Sequence, residues 1–364
     1  MNNITYIFSG GRNIKTDNKN YSDDFFYGYR FLNSKKFNLN MIEFEKKNFI
    51  FERLSYYLST IFSLPLSIFS ILSFPNLKIL KKTNNLILVN ENAGFSALLP
   101  LILMKQKYKI KTHMFVMGLF SKKIRFKFIK KLHYQFIFLL TKFIDRVYFL
   151  GKKEHEIAVN LIGEKDKLIY SSFYIHFDFW KSQNIELSKN EYILFIGNDS
   201  NRDFDLLLKI AKELKDKKFV FISSNSKLIN SQLINVQIVN GRWEDNHLSD
   251  NDIKKFYENA RLVILPLKES SQPSGQSVAL QAMSVGVPVM ITKTKGFWDP
   301  ESFKDRYNIF FLENNEYKNW IKNINSIYSD LPLLNQISNN ATSVVEQNYN
   351  LKTFNTFLFK ELIN

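Results

Sequence analysis

Ser274, Gly275, Gln276 and Ser277 are the residues of this sequence best equipped for anion chemistry. A glycine lets another group approach the backbone closely, two hydroxyls and an amide offer hydrogen bonds, and the free N–H groups of a first helical turn attract phosphate. A plain tight turn would use the same residues, so their setting has to decide. Gly10 and Gly11 are a second candidate, because they follow the apolar run Ile4 to Phe8. In an α/β domain the loop after the first strand usually faces the ligand side, so these glycines either admit a substrate or simply turn the chain. Lys122, Lys123, Arg125, Lys127, Lys130 and Lys131 form a third group, alternating with Ile124, Phe126, Phe128, Ile129, Phe136 and Phe138. On a helix over 121–143, such lysines can meet anionic head groups while the rings enter the interface; the alternative is an ordinary amphipathic helix with a solvated basic face.

The elements that must position these residues follow from apolar runs and their breaks. Leu262 to Leu267 and Val287 to Thr292 are uncharged strands. The small-residue segment between them is a helix, with Ser274 as expected N-cap, Gly286 at its end and Pro288 preventing continuation. Strand, helix and strand make a right-handed βαβ unit, which binds ligands where the helix begins. Further strands are expected at 192–196, 219–222 and 236–239, with helices at 204–215 and 250–259. The first half repeats the alternation, with strands at 4–8, 86–90, 112–117, 146–150 and 167–172 and helices at 23–36, from after Ser96 to Met104 and at 154–162. The fold class is therefore α/β, two Rossmann-like doubly wound domains facing across a cleft, divided in the polar stretch 181–190 into 1–183 and 184–345.

Composition narrows the class further. A chain of 364 residues suits two domains at roughly 150 residues each. No cysteine is present, which excludes disulfides, thiol nucleophiles and cysteine zinc sites. Residues 1–30 lack a secretory signal pattern, giving the expectation of a cytoplasmic protein. The net charge of +16 sits in one half: 28 Lys/Arg face 13 Asp/Glu in residues 1–180, against 22 and 21 in the remainder. Within 78–153 there are 17 basic residues and two acids, Glu91 and Asp145. Such a field attracts a polyanion or an anionic membrane, and no groove-reading motif supports nucleic acid. Leu54 to Leu77 is 24 residues without a charge, enough to span a bilayer. Pro65, Pro75 and a serine stripe at 55, 59, 63 and 67 argue against a simple span, leaving a helix packed on the domain or lying in the membrane interface.

Taken in order, these pieces resemble the retaining glycosyltransferases of the GT-B fold, in particular the large family four. Ile144-Asp145-Arg146-Val147 through Lys152, Glu154 and Glu156 is similar to that family's "ADRV…S…E" segment, and Phe173 to Trp180 to its "FGVDTDFF" stretch. Gly197 to Asp203 resembles the glycine turn opening the second domain. Ser274 to Thr292 resembles the "GQSVLLEAMA-G-PVI" signature. Val344 to Tyr349 resembles the last helix, which implies that 346–364 crosses back to the first domain. The sequence departs from the family at its two glutamates: the second falls on Gln281 and the first near Gln272 or Pro273. Asn198 stands at the usual arginine of the glycine turn, Arg202 approximates the lysine that follows, and the family's first-domain histidine has no counterpart, since His113 lies within its strand and Met117-Gly118 occupies the end.

The resemblance implies transfer of a sugar, with retention, from a nucleotide diphosphate sugar to a glycan or lipid-linked acceptor in cell-surface polysaccharide or glycolipid synthesis. It implies no cofactor and no metal. Arg202 and Lys268 would supply positive charge to the leaving diphosphate. Gly197, Asn198, Arg202, Trp243, Ser274, Gly275, Gln276, Ser277 and Gln281 would bind the donor, and Trp243 is equally suited to a structural position. Gly10 and Gly11 would lie on the acceptor side. The expected location is peripheral, on the inner face of the cytoplasmic membrane. Rival readings are a sugar-nucleotide epimerase on the same fold and a catalytically degenerate, membrane-associated partner of another transferase.

Overall fold

The computed structural model describes residues 3–35, 37–44, 49–122, 124–183, 185–241 and 247–363. They divide into two compact units: 1–18, 26–172 and 355–364 form the first, and 19–25 with 173–354 the second. The partition thus falls at 172/173, earlier than the polar stretch 181–190. Phe177 and Trp180, just past it, are fully buried, and Trp180 meets Tyr257 edge-on within the second unit.

The first unit is built on six strands, β1 (Asn3–Phe8), β2 (Asn38–Glu43), β3 (Asn85–Leu88), β4 (Lys111–Val116), β5 (Arg146–Phe149) and β6 (Leu168–Tyr170). All pair in parallel, in the order β2-β1-β3-β4-β5-β6. Parallel strands need crossovers, and helices on the sheet faces explain why β1, β3, β4 and β5 are buried almost throughout. The crossovers contain α1 (Tyr29–Ser34), α2 (Phe49–Phe62), α3 (Ile68–Ile71), α4 (Phe74–Leu80), α5 (Glu91–Tyr108), α6 (Lys127–Phe143) and α7 (Lys152–Ile162). Leu86, Leu88, Met114, Val116, Ile137, Leu140, Val147 and Phe149 form the centre of one core.

Three expectations change here. The helix at 23–36 is broken, because Tyr27 and Gly28 take left-handed backbone angles of 48° and 81°; only 24–26 and 29–34 are helical, and 24–25 belong to the other unit. The run 54–77 is not one helix, being divided among α2, α3 and the start of α4, and among the described residues no helix is long and apolar enough to cross a membrane. The basic helix begins only at Lys127, so Lys122 and Arg125 lie on the loop before it; Lys123 is outside the described residues.

The second unit repeats the plan with β7 (Tyr192–Ile196), β8 (Lys218–Ile222), β9 (Val236–Val239), β10 (Ala260–Leu265), β11 (Val289–Thr292) and β12 (Phe310–Leu312). The order is β12-β11-β10-β7-β8-β9, again all parallel. Its helices are α8 (Phe177–Trp180), α9 (Phe204–Glu213), α10 (Ser226–Ile229), α11 (Asp250–Glu258), α12 (Gln276–Val285), α13 (Tyr317–Tyr328) and α14 (Leu331–Asn348). A last helix, α15 (Leu351–Ile363), starts in this unit and from residue 355 is counted with the first. In the first unit, Arg146 Nε of β5 pairs with Glu361 of α15 at 3.4 Å. The strand order reverses between β10 and β7, the switch point where a doubly wound sheet opens its ligand crevice.

Candidate active site

Both loops at that switch point are fixed by their own chemistry. The β7–α9 loop is zipped to the end of β10 by Asp203 N to Pro266 O at 2.9 Å and Lys268 N to Asn201 O at 2.7 Å. Asn315 ties the same ends together, donating to Asp203 Oδ2 and to Leu267 O and accepting from Thr292 Oγ1. This scaffold holds Arg202, whose side chain is only 4% exposed. Its Nε lies 2.9 Å from Asp199 Oδ2, an ion pair off the line of a hydrogen bond, and its Nη1 has no hydrogen-bond partner among the described residues. A buried guanidinium with an unused donor is costly unless something else satisfies it.

The glycines of the two loops explain how Arg202 is seated. A Cβ on Gly197 would come within 2.5 Å of Arg202 Nε, and one on Gly275 within 2.9 Å of Nη1. The group whose approach Gly275 permits is thus the arginine of the same unit. Gly275 is also the N-cap of α12 with a φ of 78°, and a glycine has no side chain with which to cap the helix. The expected cap, Ser274, instead accepts from Asn201 Nδ2 at 2.8 Å, because the left-handed turn passes the cap position to its glycine neighbour. The first turn of α12 thus begins at a glycine beside a cation. Helix dipole and guanidinium point the same sign of potential into one place, which suits an anion.

The other expected donor residues have distinct fates. Gln276 is buried and Ser277 half-buried at the start of α12. Asn198 is bound to the sheet ends: it donates to Gly241 O and its Oδ1 accepts from Ser223 Oγ and from Ser224 N and Oγ. Lys268 is exposed, with Nζ 3.4 Å from Ser200 O, so its charge is solvated where that of Arg202 is not. Trp243 is outside the described residues.

Residues 176–344 match the family model described as "Glycosyl transferases group 1". That segment is similar to a group 1 glycosyl transferase domain. HepE from Anabaena, solved with UDP and glucose, superimposes with a TM-score of 0.69 at 13% identity, over 100% of this chain and 99% of that one. Sucrose-phosphate synthase from Thermosynechococcus elongatus gives 0.70 at 11% identity, with 100% and 99% covered. A glycosyltransferase from Rickettsia africae gives 0.65 at 15%, with 100% and 99% covered. These likenesses establish the fold, that of the GT-B glycosyltransferases. A search of curated proteins by sequence finds no match.

Inside the matched segment, Gln281 is engaged internally. Its Nε2 donates to Asp24 Oδ2 at 2.9 Å and its Oε1 accepts from Tyr257 OH at 3.3 Å. Asp24 also accepts from Trp180 Nε1 at 2.8 Å and from the backbone N–H of His176 at 2.6 Å. These donors favour a carboxylate, yet burial outweighs them, and with Asp250 nearby raises the Asp24 carboxyl from 3.8 to about 7. Sequence reasoning missed Asp24 altogether, because one of two adjacent acids opening the aromatic run DDFFYGYR offered no signal. The segment 19–25 is held by Asp250 too, whose Oδ2 accepts from Ser22 N and Oγ.

In the first unit, Gly10 and Gly11 take left-handed angles of 134° and 75°, and the space a Cβ on Gly10 would enter is open. Their loop is anchored by Glu43 at the end of β2, which accepts from the N–H groups of Arg12 and Asn13. His113 is structural: Nδ1 meets Tyr148 OH at 3.0 Å, Nε2 meets Asn85 Oδ1 at 3.3 Å, and burial lowers its pKa to about 4. At the end of β4, Glu154 receives the N–H groups of Gly118 and Phe120, while burial and Glu91 push it up to about 8. Lys122, Arg125, Lys127, Lys130 and Lys131 are all exposed.

Proposed function

We propose that the protein is a retaining hexosyltransferase that takes a sugar from a nucleotide diphosphate sugar, with UDP as the favoured nucleotide, and passes it to a hydroxyl of a glycan or lipid-linked acceptor. The observation that carries this reading is the unpartnered Nη1 of Arg202, buried in a glycine seat at the start of α12. Breaking the anomeric bond leaves a diphosphate with extra negative charge, and a fixed cation at a helix N-terminus stabilises that charge without reorganising. Arg202 and the N–H groups from Gly275 to Ser277 would hold the diphosphate, with Lys268 adding a solvated charge. HepE, solved with UDP-glucose, supports the choice of donor. Gly10 and Gly11 would meet the acceptor, and the exposed lysines of 122–131 would hold the protein against the anionic inner surface of the cytoplasmic membrane, where acceptors for cell-surface polysaccharide or glycolipid synthesis lie. The reaction needs no metal.

Calorimetric titration of the purified protein with UDP- and GDP-sugars tests the donor, and NMR of the product's anomeric proton tests retention. Failure of every nucleotide diphosphate sugar to bind would sink the enzyme, and activity abolished by chelator would remove metal independence. One observation favours a second reading. Because the amide of Gln281 is already bonded to Asp24 and Tyr257, the domain suits a degenerate partner of another transferase. Donor binding without turnover over any acceptor would select it.

A further inference from the structure

Helix α2 turns an apolar stripe outward as well as packing Phe62 inward. Its inner face carries Ser55, which is buried, and Ser59, whose Oγ bonds both the N–H and the carbonyl of Leu66. The serine stripe at 55, 59, 63 and 67 therefore begins on the protein side, where Ser67 N also donates to Ser96 Oγ. The outer face carries Ile50, Leu54, Tyr57 and Ile61, exposed by 69, 44, 49 and 52%. Spacings of four, three and four place these four on one stripe. Single exposed apolar side chains are ordinary, but a full stripe turned outward while serines turn inward is not.

The surroundings of the stripe identify its occupant by charge. Phe62 packs on Phe136 of α6 with ring centroids 4.8 Å apart, and Lys122 Nζ bonds Ser63 O at 2.7 Å, so the end of α2 is fastened to the basic segment. Exposed Phe126 and Phe128 stand there among Arg125, Lys127, Lys130 and Lys131. Residues 49–143 hold 15 Lys/Arg against Glu52 and Glu91. An anionic bilayer offers an apolar layer under a plane of negative charge, which complements an apolar stripe beside a basic patch. At 14 residues α2 is about 21 Å long, short of the roughly 30 Å hydrocarbon core, so it fits along the surface and not across it.

We propose that α2 is a lipid-inserting element, burying Ile50, Leu54, Tyr57 and Ile61 in the acyl boundary of an anionic membrane while the lysines of the 122–131 segment engage the head groups. The proposal rests on the membrane reading above and adds to it the inserting helix, which lies outside the basic segment.

The test is sedimentation of the full chain with phosphatidylglycerol/phosphatidylcholine vesicles and with phosphatidylcholine alone. Replacing the stripe (Ile50→Ser, Leu54→Ser, Tyr57→Ser and Ile61→Ser together) is expected to weaken binding to the anionic vesicles at least about tenfold. The remaining binding should vanish in high salt, whereas wild type keeps a salt-resistant fraction, and binding of UDP-sugar should not change. As a single substitution at an exposed site, Tyr57→Trp should give a blue-shifted emission with these vesicles and quenching by brominated lipid. If the stripe variant binds as wild type while Lys127→Ala/Lys130→Ala/Lys131→Ala does not, attachment is electrostatic alone: insertion falls and the membrane reading stands. If wild type sediments with neither vesicle, the membrane reading fails and insertion with it. A wild-type dimer made monomeric by the stripe variant would show that a second copy covers this face and would overturn the proposal.

Discussion

Arg202 and the lysines of the first unit use the same charge in opposite ways. Arg202 is one cation, withdrawn from water, seated over two glycines and left with a donor to spare. Lys127, Lys130 and Lys131 are solvated and repeat one another. A buried charge acts strongly on whatever reaches it because little solvent screens it, while exposed charges act weakly one by one and only as a field together. The nearly neutral second half can therefore hold the most strongly acting single charge, even though the basic half dominates the composition.

Substitutions at four places press on that contrast. Arg202→Ala should lower kcat/KM about a hundredfold or more, some 2.7 kcal/mol of barrier, and Arg202→Lys should not restore it; wild-type turnover by either variant would remove the residue from the site. Asp24 should appear in the pH dependence of stability. Its folded pKa is raised, so its contribution is fully present below the ordinary 3.8 and is lost as pH rises towards about 7. In urea denaturation, wild type should lose roughly 1 kcal/mol per pH unit more than Asp24→Asn across that window, and parallel curves would mean that Asp24 does not titrate there. Gly275→Ala should destabilise by about 1–2 kcal/mol through its backbone angle, and weaken nucleotide-sugar binding by displacing Arg202; unchanged affinity would show that the seat tolerates a methyl group. Lys127→Glu/Lys130→Glu/Lys131→Glu should move stability by less than about 0.5 kcal/mol at each site. A larger loss would show that these lysines are structural and would erase the contrast.

The sequence exposed the parts of the fold that burial alone dictates. Leu86 to Leu88, Met114 to Val116 and Val263 to Leu265 are apolar because helices cover both faces of their sheets, and that signal is local. Strand β2 escaped notice because Asn38 and Asn40 interrupt it and only Ile42 is fully buried, as an edge strand permits. Residues 121–126 read as helix from alternation, but the chain is regular only from Lys127. At the candidate site, Gly197, Arg202 and Gly275 stood out separately; their mutual contact did not, because it joins two loops more than seventy residues apart. The Asp24–Gln281 bond spans a separation of 257 residues, beyond any pattern of spacing. The inward serines of α2 were visible as a stripe, although which side they faced depended on Leu66 and Ser96.

The small segment 19–25 changes how this protein can be taken apart. An isolated 173–354 polypeptide would contain the whole second sheet, yet it would lack Asp24 and Ser22. Trp180 and Gln281 would then lose a buried acceptor, and Asp250 two donors. Such a fragment should be recovered in soluble form more readily when a synthetic peptide spanning 19–25 is added during refolding, making this pair a natural starting point for split-protein complementation.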